Sequence, residues 1–206
     1  MLMFGTPAGV VLSPGAPNLM GTPLPGLDVV AGYVVAGLDP ASPTALPDAS
    51  LSGVVEAVAI TDRAKAPLRL VASARALTGH GLEGDRYAAK AGTFRSGALT
   101  ASGYDLTLIE DEVVDELVLA DGSRLTYADA RRNIVTRGVD LNRLVGRRFL
   151  LGDVECLGQH LCEPCAHLER LTQPGTLRGL IHRGGLRADI LTDGTIAPGM
   201  TIQTQT

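Results

Sequence analysis

Short apolar runs separated by turn residues fill this chain from residue 53 onward, and six to nine of them read as β-strands. Many short strands leave many edges, and an exposed edge is a template for wrong pairing. Closing the sheet on itself removes those edges, so the pattern favours a closed or partly closed barrel. Helical stretches are few and do not alternate regularly with strands, which argues against a parallel α/β sheet. The expected class is mostly β with a few short helices.

The runs "GVVEAVAIT" and "PLRLVASARAL" read as two strands. "GHGLEGDRYA" is a loop by its three glycines, and the Gly- and Ser-rich stretch 90–102 reads as mobile. "DLTLIEDEVVDELVLA" begins as a strand and turns helical, with Glu110, Asp111 and Glu112 in the first turn, where carboxylates suit the helix dipole. Val113, Val114, Leu117 and Val118 give that helix an apolar face for packing. A short helix follows, then a strand at 133–136, a helical turn at 140–144, and strands at 149–151 and 154–157 around a Gly152-Asp153 hairpin turn. A helix is expected at 166–171, and two strands around Asp193-Gly194 complete the domain.

Residues 1–52 form a Gly/Pro-rich extension ahead of a main domain at 53–206. Proline removes a donor and fixes φ, so no long helix runs through the extension. Its apolar runs at 10–12 and 29–35 are candidate strands of an extended arm with a short hairpin, and 39–52 reads as a linker. No apolar run reaches the roughly 20 residues that span a bilayer. The N-terminus lacks the basic start, apolar core and cleavage site of a secretory signal. A cytoplasmic protein with no membrane partner is expected.

The formal net charge of -4 offers nucleic acid no global attraction. With no Trp and few other aromatics, platforms for base stacking are scarce. The charge is unevenly spread. Residues 1–62 carry five acids and no Lys or Arg, and 99–121 carry seven acids and no base, whereas 124–187 carry eleven Arg against six acids. An acidic protein with an Arg-rich half suits a small anionic ligand, such as a phosphate, better than a long polyanion. An ordinary mixed-charge surface is the competing account.

Three cysteines cannot all pair internally, which argues against a disulfide scaffold. The densest chemistry is "GQHLCEPCAHLER", which holds His160, Cys162, Cys165 and His167 within eight residues. Zinc is one reading of four such ligands, but a structural zinc site usually draws its second ligand pair from roughly 12–20 residues away. His160 and Cys162 would point the same way on a strand, and Pro164 breaks regularity before Cys165. A thioredoxin-like redox pair lacks its βαβ context, and two inert buried cysteines are a third account. The fourth is a single reactive thiol at Cys165, which follows Pro164 and precedes a helical stretch. Backbone N–H groups at a helix start, together with nearby Arg, favour a thiolate there. Cys162 would resolve or assist, and Cys156 reads as core. His167 lies two residues past Cys165, a spacing that points it away on a helix, so a structural role is expected; His160 and His182 stay open.

Several blocks taken together resemble the MOSC family, the domain named after the C-terminal part of molybdenum cofactor sulfurase and found also in small stand-alone proteins. They are "GLEGDRYA" at 81–88, "LTLIE" at 106–110, "RRNIVTRGVDLNRLVGRRFLLGDV" at 131–154, "LCEPCAHLE" at 161–169 and "RGGLRADILTDGTIAPG" at 183–199. The resemblance covers about 53–206. It implies the family's mixed β-barrel, related to the pyruvate-kinase-like insert domain. It implies association with the molybdenum cofactor (molybdopterin), as a sulfurtransferase or a binding module, and it carries a pyridoxal-phosphate association. Some members act in reductase systems toward N-hydroxylated compounds. The family's near-invariant cysteine falls on Cys165, its arginine-asparagine motif on Arg131, Arg132 and Asn133, and its Gly-Asp-Arg motif on Gly84, Asp85 and Arg86. One departure is Gly199-Met200, where the family often has Gly-Asp before the last strand.

Read on that resemblance, Arg131, Arg132, Arg183 and Arg187 are candidates to hold the cofactor's phosphate, because a guanidinium fork matches it bidentately. Neighbours on a strand alternate, and Arg132 is expected to face inward. Asn133 would hold a loop or read a pterin edge. Asp85 pairs with Arg86 or another Arg, or else caps an Asx turn. Gly184 and Gly185 either admit a ligand close to the backbone or form a plain turn. The expected function is a persulfide relay at Cys165, with a cysteine desulfurase or molybdoenzyme as partner. A non-catalytic binding module with Cys165 near or on molybdenum is the alternative, and a zinc-stabilised domain using Cys162, His160 and His167 a further one. No feature assigns an oligomeric state.

Overall fold

The computed structural model describes residues 51–89 and 102–204, together with the backbone of four short strands before them. The chain divides into two compact units, Met1–Pro47 and Asp48–Thr206. In the first, Gly5–Thr6 (β1) pairs with Gly9–Val10 (β2), and Leu27–Val30 (β3) with Tyr33–Ala36 (β4), both antiparallel. The run expected as one strand at 29–35 is thus shared between two. The rest of the proposed linker and the mobile stretch at 90–101 lie outside the described residues.

The second unit begins with Ser52–Ile60 (β5), Arg69–Val71 (β6), Ala74–Leu77 (β7), Gly81–Leu82 (β8) and Leu106–Glu110 (β9). Helices Asp111–Glu116 (α1) and Tyr127–Ala130 (α2) precede Ile134–Arg137 (β10), the 3-10 turn Leu141–Leu144, Arg148–Leu151 (β11) and Val154–Leu161 (β12). Helices Ala166–Leu171 (α3) and Thr176–Gly179 (α4) lead to Leu186–Ile190 (β13), Gly194–Ile196 (β14) and Thr201–Thr204 (β15).

Strands β10, β9, β13, β12, β11, β15 and β5 pair in that order, and β5 returns to β10 to close a barrel. Only β9 and β10 run parallel within this ring, so the barrel is mixed. β6 continues the sheet beyond β5, and β14, β7 and β8 form a separate small sheet. The fold is mainly β with a few short helices, as the strand pattern and the family resemblance imply.

Alternation on β9 separates two cores. Leu106 and Leu108 join Phe149, Ile134, Leu151 and Leu186 in one cluster. Ile109 faces the other way, into a cluster with Val113, Val114, Leu168 and Leu180 beneath the helices. The helices therefore cover one face of the barrel wall, and the second cluster anchors α3, the helix that follows Cys165.

Several local expectations need correction. "PLRLVASARAL" is two strands: β6 pairs with β5 and β7 with β14 and β8, so the segment crosses between sheets. α1 stops at Glu116; Leu117 is extended and Val118 is 56% exposed, forming a bridge with Arg124 rather than a helical face. The Asp121–Ser123 turn, in which Asp121 accepts from the Ser123 N–H and hydroxyl, competes for the same backbone and wins. The Asp193-Gly194 region separates β13 and β14, which belong to different sheets, and a further strand, β15, pairs with β5 and β11.

Candidate functional site

One cleft at an end of the barrel gathers residues from widely spaced segments. Thr61 comes from just past β5, Asp85, Arg86 and Tyr87 from the loop after β8, and Thr107 from β9. Arg131, Arg132 and Asn133 come from the turn between α2 and β10; Cys162, Glu163 and Cys165 follow β12; His167 sits on α3 and Arg187 on β13. Leu68, Leu168 and Leu171 supply an apolar part of the wall.

Arg132 is the buried support of this cleft, at 6% exposure. Its Nε donates to Gly184 O at 2.9 Å, Nη1 to Ala130 O at 3.1 Å and Nη2 to Cys162 O at 2.8 Å. One guanidinium thus ties together the α2 terminus, the cysteine loop and the turn before β13. Its inward placement has a cause other than strand alternation, because residues 131–133 precede β10. Arg131 is left-handed, with φ 55°, and caps α2. That turn sends consecutive arginines apart: Arg131 is half-buried and donates from Nη2 to Ala66 O at 3.1 Å. Burial, and then the neighbouring Arg86, weaken the hold of Arg131 on its proton, as expected for cations brought close together.

Asp85 is buried and acts as an acceptor for neighbours. It accepts from Thr61 N–H at 3.0 Å and Tyr87 N–H at 2.9 Å, the second bond being an Asx turn, and from Asn133 Nδ2 at 3.4 Å. Asn133 also donates to Ala59 O, and its Oδ1 accepts from the Thr107 hydroxyl at 2.8 Å. These two residues hold the cleft's back wall together. Arg86 differs: its Nε is buried without a hydrogen-bond partner, and its guanidinium lies 5.0 Å from the Tyr87 ring centroid. Arg187 lies 5.5 Å from the Tyr104 ring centroid, with a long 3.4 Å contact to Gly103 O.

Cys165 is exposed and stands at the N-cap position of α3 without a side-chain capping bond, whereas Cys156 and Cys162 are buried. α3 has only six residues, so the arginines of the cleft are the more substantial positive charges around this thiol. Burial pushes the Cys156 thiol up to about 12, which leaves it an inert core side chain. His167 lines the same cleft despite its spacing from Cys165. Burial, and then the cations Arg170, Lys65, Arg131 and Arg86, hold its imidazole below the ordinary value.

Other expected residues lie elsewhere. Arg183 pairs with Glu116 at 2.7 Å on the surface. Gly184 and Gly185 permit close approach to the protein's own backbone: a Cβ would meet Cys162 O at 2.5 Å in the first case and Leu108 O at 1.8 Å in the second. His160 is exposed on β12, its Nδ1 3.0 Å from Leu161 O, whereas Cys162 lies one residue past the strand and is buried. A register shift between Gly158 and His160 breaks the alternation. Among the described residues no three His, Cys, Asp or Glu side chains gather to hold a metal, so the convergence that the zinc alternative requires is not found there.

Two members of the cleft carried weak signals in the sequence. Thr107 is the one hydroxyl among the apolar residues of "LTLIE". Glu163 lies between the cysteines and accepts from His182 N–H at 3.0 Å, with His182 Nδ1 also 3.0 Å away.

The MOSC domain model matches residues 99–203, just over half of the chain. The "GLEGDRYA" block precedes that stretch, yet its Asp85 and Arg86 line the same cleft. No curated protein matches the chain in sequence. Among solved structures, the YuaD protein from Bacillus subtilis is similar at TM-score 0.60 and 18% identity, covering 73% of this chain and 94% of its own. YiiM from Escherichia coli is similar at TM-score 0.51 and 17% identity, over 74% of this chain and 70% of its own. YiiM from Geobacillus stearothermophilus gives 0.50 and 14%, over 76% and 75%. At these identities the likeness is one of fold.

Proposed function

This chain belongs to the MOSC domain family, and from that premise we propose that it is a molybdenum-cofactor-associated sulfur carrier whose working atom is the Cys165 sulfur. The observation that carries the reading is an exposed thiol in a cleft walled by Arg86, Arg131, Arg132 and Arg187. Exposure lets a donor reach the sulfur, and the guanidinium groups around it attract an anionic donor or acceptor. In the first step the Cys165 thiolate attacks the outer sulfur of a small or protein-bound persulfide. A new S–S bond forms at Cys165, and the donor leaves as a thiolate. A cysteine desulfurase is a suitable donor.

The molybdenum cofactor enters as the acceptor molecule. Its phosphate suits the guanidinium donors Arg86, Arg131 and Arg187, and its soft metal–sulfur chemistry suits a thiol neighbour. Arg132, already committed to three carbonyls, supplies charge and position. The same arginine wall, considered without the thiol, favours a second reading: a module that binds an anionic cofactor and transfers nothing.

Intact-mass analysis after incubation with cysteine persulfide separates the two. The carrier gains one sulfur, about +32 Da, at Cys165, loses the gain in Cys165→Ser, and releases the sulfur as thiocyanate on treatment with cyanide. A chain that gains no sulfur, yet retains the cofactor after Cys165→Ala, is a binding module.

A further inference from the structure

The cleft's charge balance narrows the sulfur donor. Among the described residues its walls present four guanidinium groups and two carboxylates. Both carboxylates are occupied: Asp85 by Thr61, Tyr87 and Asn133, and Glu163 by His182. The arginines of the cleft are bonded to backbone carbonyls or stacked on rings, and Arg86 Nε is buried with no acceptor. An anion entering the cleft meets the guanidinium groups of Arg86, Arg131 and Arg187, and the walls leave no free carboxylate to compete with it. The accessible nucleophile of the same cleft is sulfur, so a well-matched substrate joins an oxyanion to a transferable sulfur atom.

We propose that the cleft takes an anionic sulfane-sulfur donor of the thiosulfate class, in which the sulfur to be transferred is bonded to a sulfonate-type leaving group. This deepens the carrier reading above and rests on it. The guanidinium groups bind the sulfonate oxygens, and the Cys165 thiolate attacks the outer sulfur. The Cys165 S–S bond forms as the S–S bond of thiosulfate breaks, and its electron pair leaves with sulfite. The cysteine ends as a persulfide anion, so charge and sulfur oxidation levels balance with no added oxidant or reductant. Charge gathers on the departing sulfite oxygens, where the arginines stabilise it.

The test compares thiosulfate with cysteine persulfide, which lacks the sulfonate, as donors to the full chain. With thiosulfate, sulfite release should match the gain of one sulfur at Cys165, and Cys165→Ser should abolish both. Arg86→Gln and Arg131→Gln should each slow the thiosulfate reaction about tenfold or more, the scale of a lost charge-assisted hydrogen bond. The cysteine persulfide reaction in the same variants should slow by a clearly smaller factor, and a cooperative thermal melt followed by circular dichroism reports that they fold. If cysteine persulfide loads Cys165 and thiosulfate does not, the donor class is wrong and the carrier reading stands. Equal slowing of both donors overturns the selectivity assigned to the arginines. If neither donor loads the thiol, the carrier reading and the donor class fall together.

Discussion

At the residue scale, Arg132 has the most demanding environment in the cleft. A guanidinium at 6% exposure, bonded to three carbonyls, stabilises the site only while all three bonds persist. Arg132→Met keeps the bulk and removes the donors, leaving Ala130 O, Cys162 O and Gly184 O without this partner. The expected loss is about 3 kcal/mol or more of unfolding free energy, measurable by urea titration. Arg132→Lys should recover part of that loss, because an ammonium keeps the charge but lacks the planar fork. A loss below about 1 kcal/mol in Arg132→Met would show that the carbonyls find other partners. The burial of Arg132 was legible in the sequence, but its mechanism was not. Alternation along a strand suggested it, whereas the left-handed turn at Arg131 produces it, and a non-glycine residue at φ 55° leaves no plain mark in sequence. The role of Asp85 was legible as one of two options, because an Asp in a Gly-rich loop is a habitual turn acceptor. The exposed position of His160 was hidden, since the bulge that reverses the strand's phase depends on pairing with β13.

At the element scale, the cleft depends on how closely β13 enters the sheet beside β9. Gly185, just before β13, has φ 95°, and an added Cβ would lie 1.8 Å from Leu108 O. The obstacle is backbone in the middle of β9, which cannot rotate away as a side chain can. Gly185→Ala should cost roughly 2–4 kcal/mol through positive φ and overpacking together, lowering the thermal midpoint in a melt followed by circular dichroism. An unchanged midpoint would mean that β9 and β13 can separate without penalty. Helix α3 and the strand-to-helix change at 110–111 were readable from composition and spacing, because their apolar residues belong to one core. The split of "PLRLVASARAL" was not, since both halves have strand composition and only the partners they meet divide them. The same holds for α1, where the helical spacing of Leu117 and Val118 loses to a turn closed by Asp121 and Ser123.

At the scale of the whole molecule, every pairing that closes the barrel lies between Ser52 and Thr204. A chain beginning at Asp48 should therefore keep a single cooperative unfolding transition and load sulfur on Cys165 at a rate within about threefold of the full chain. Loss of the cooperative transition, seen in urea titration, would show that the first unit is required by the second. Mostly-β character and closure were readable from the number of short runs, whereas the strand order was not, because pairing across long sequence distances has no local signature. That order has a consequence for synthesis. The ring's first strand, β5, pairs with its last, β15, through Thr201↔Val54, Ile202↔Gly53 and Gln203↔Ser52. At ordinary translation rates the ribosome needs roughly ten to thirty seconds to pass from one strand to the other. Throughout that interval Ser52, Gly53 and Val54 wait without their β15 partners, so the ring can close only after nearly all of its strands have been made.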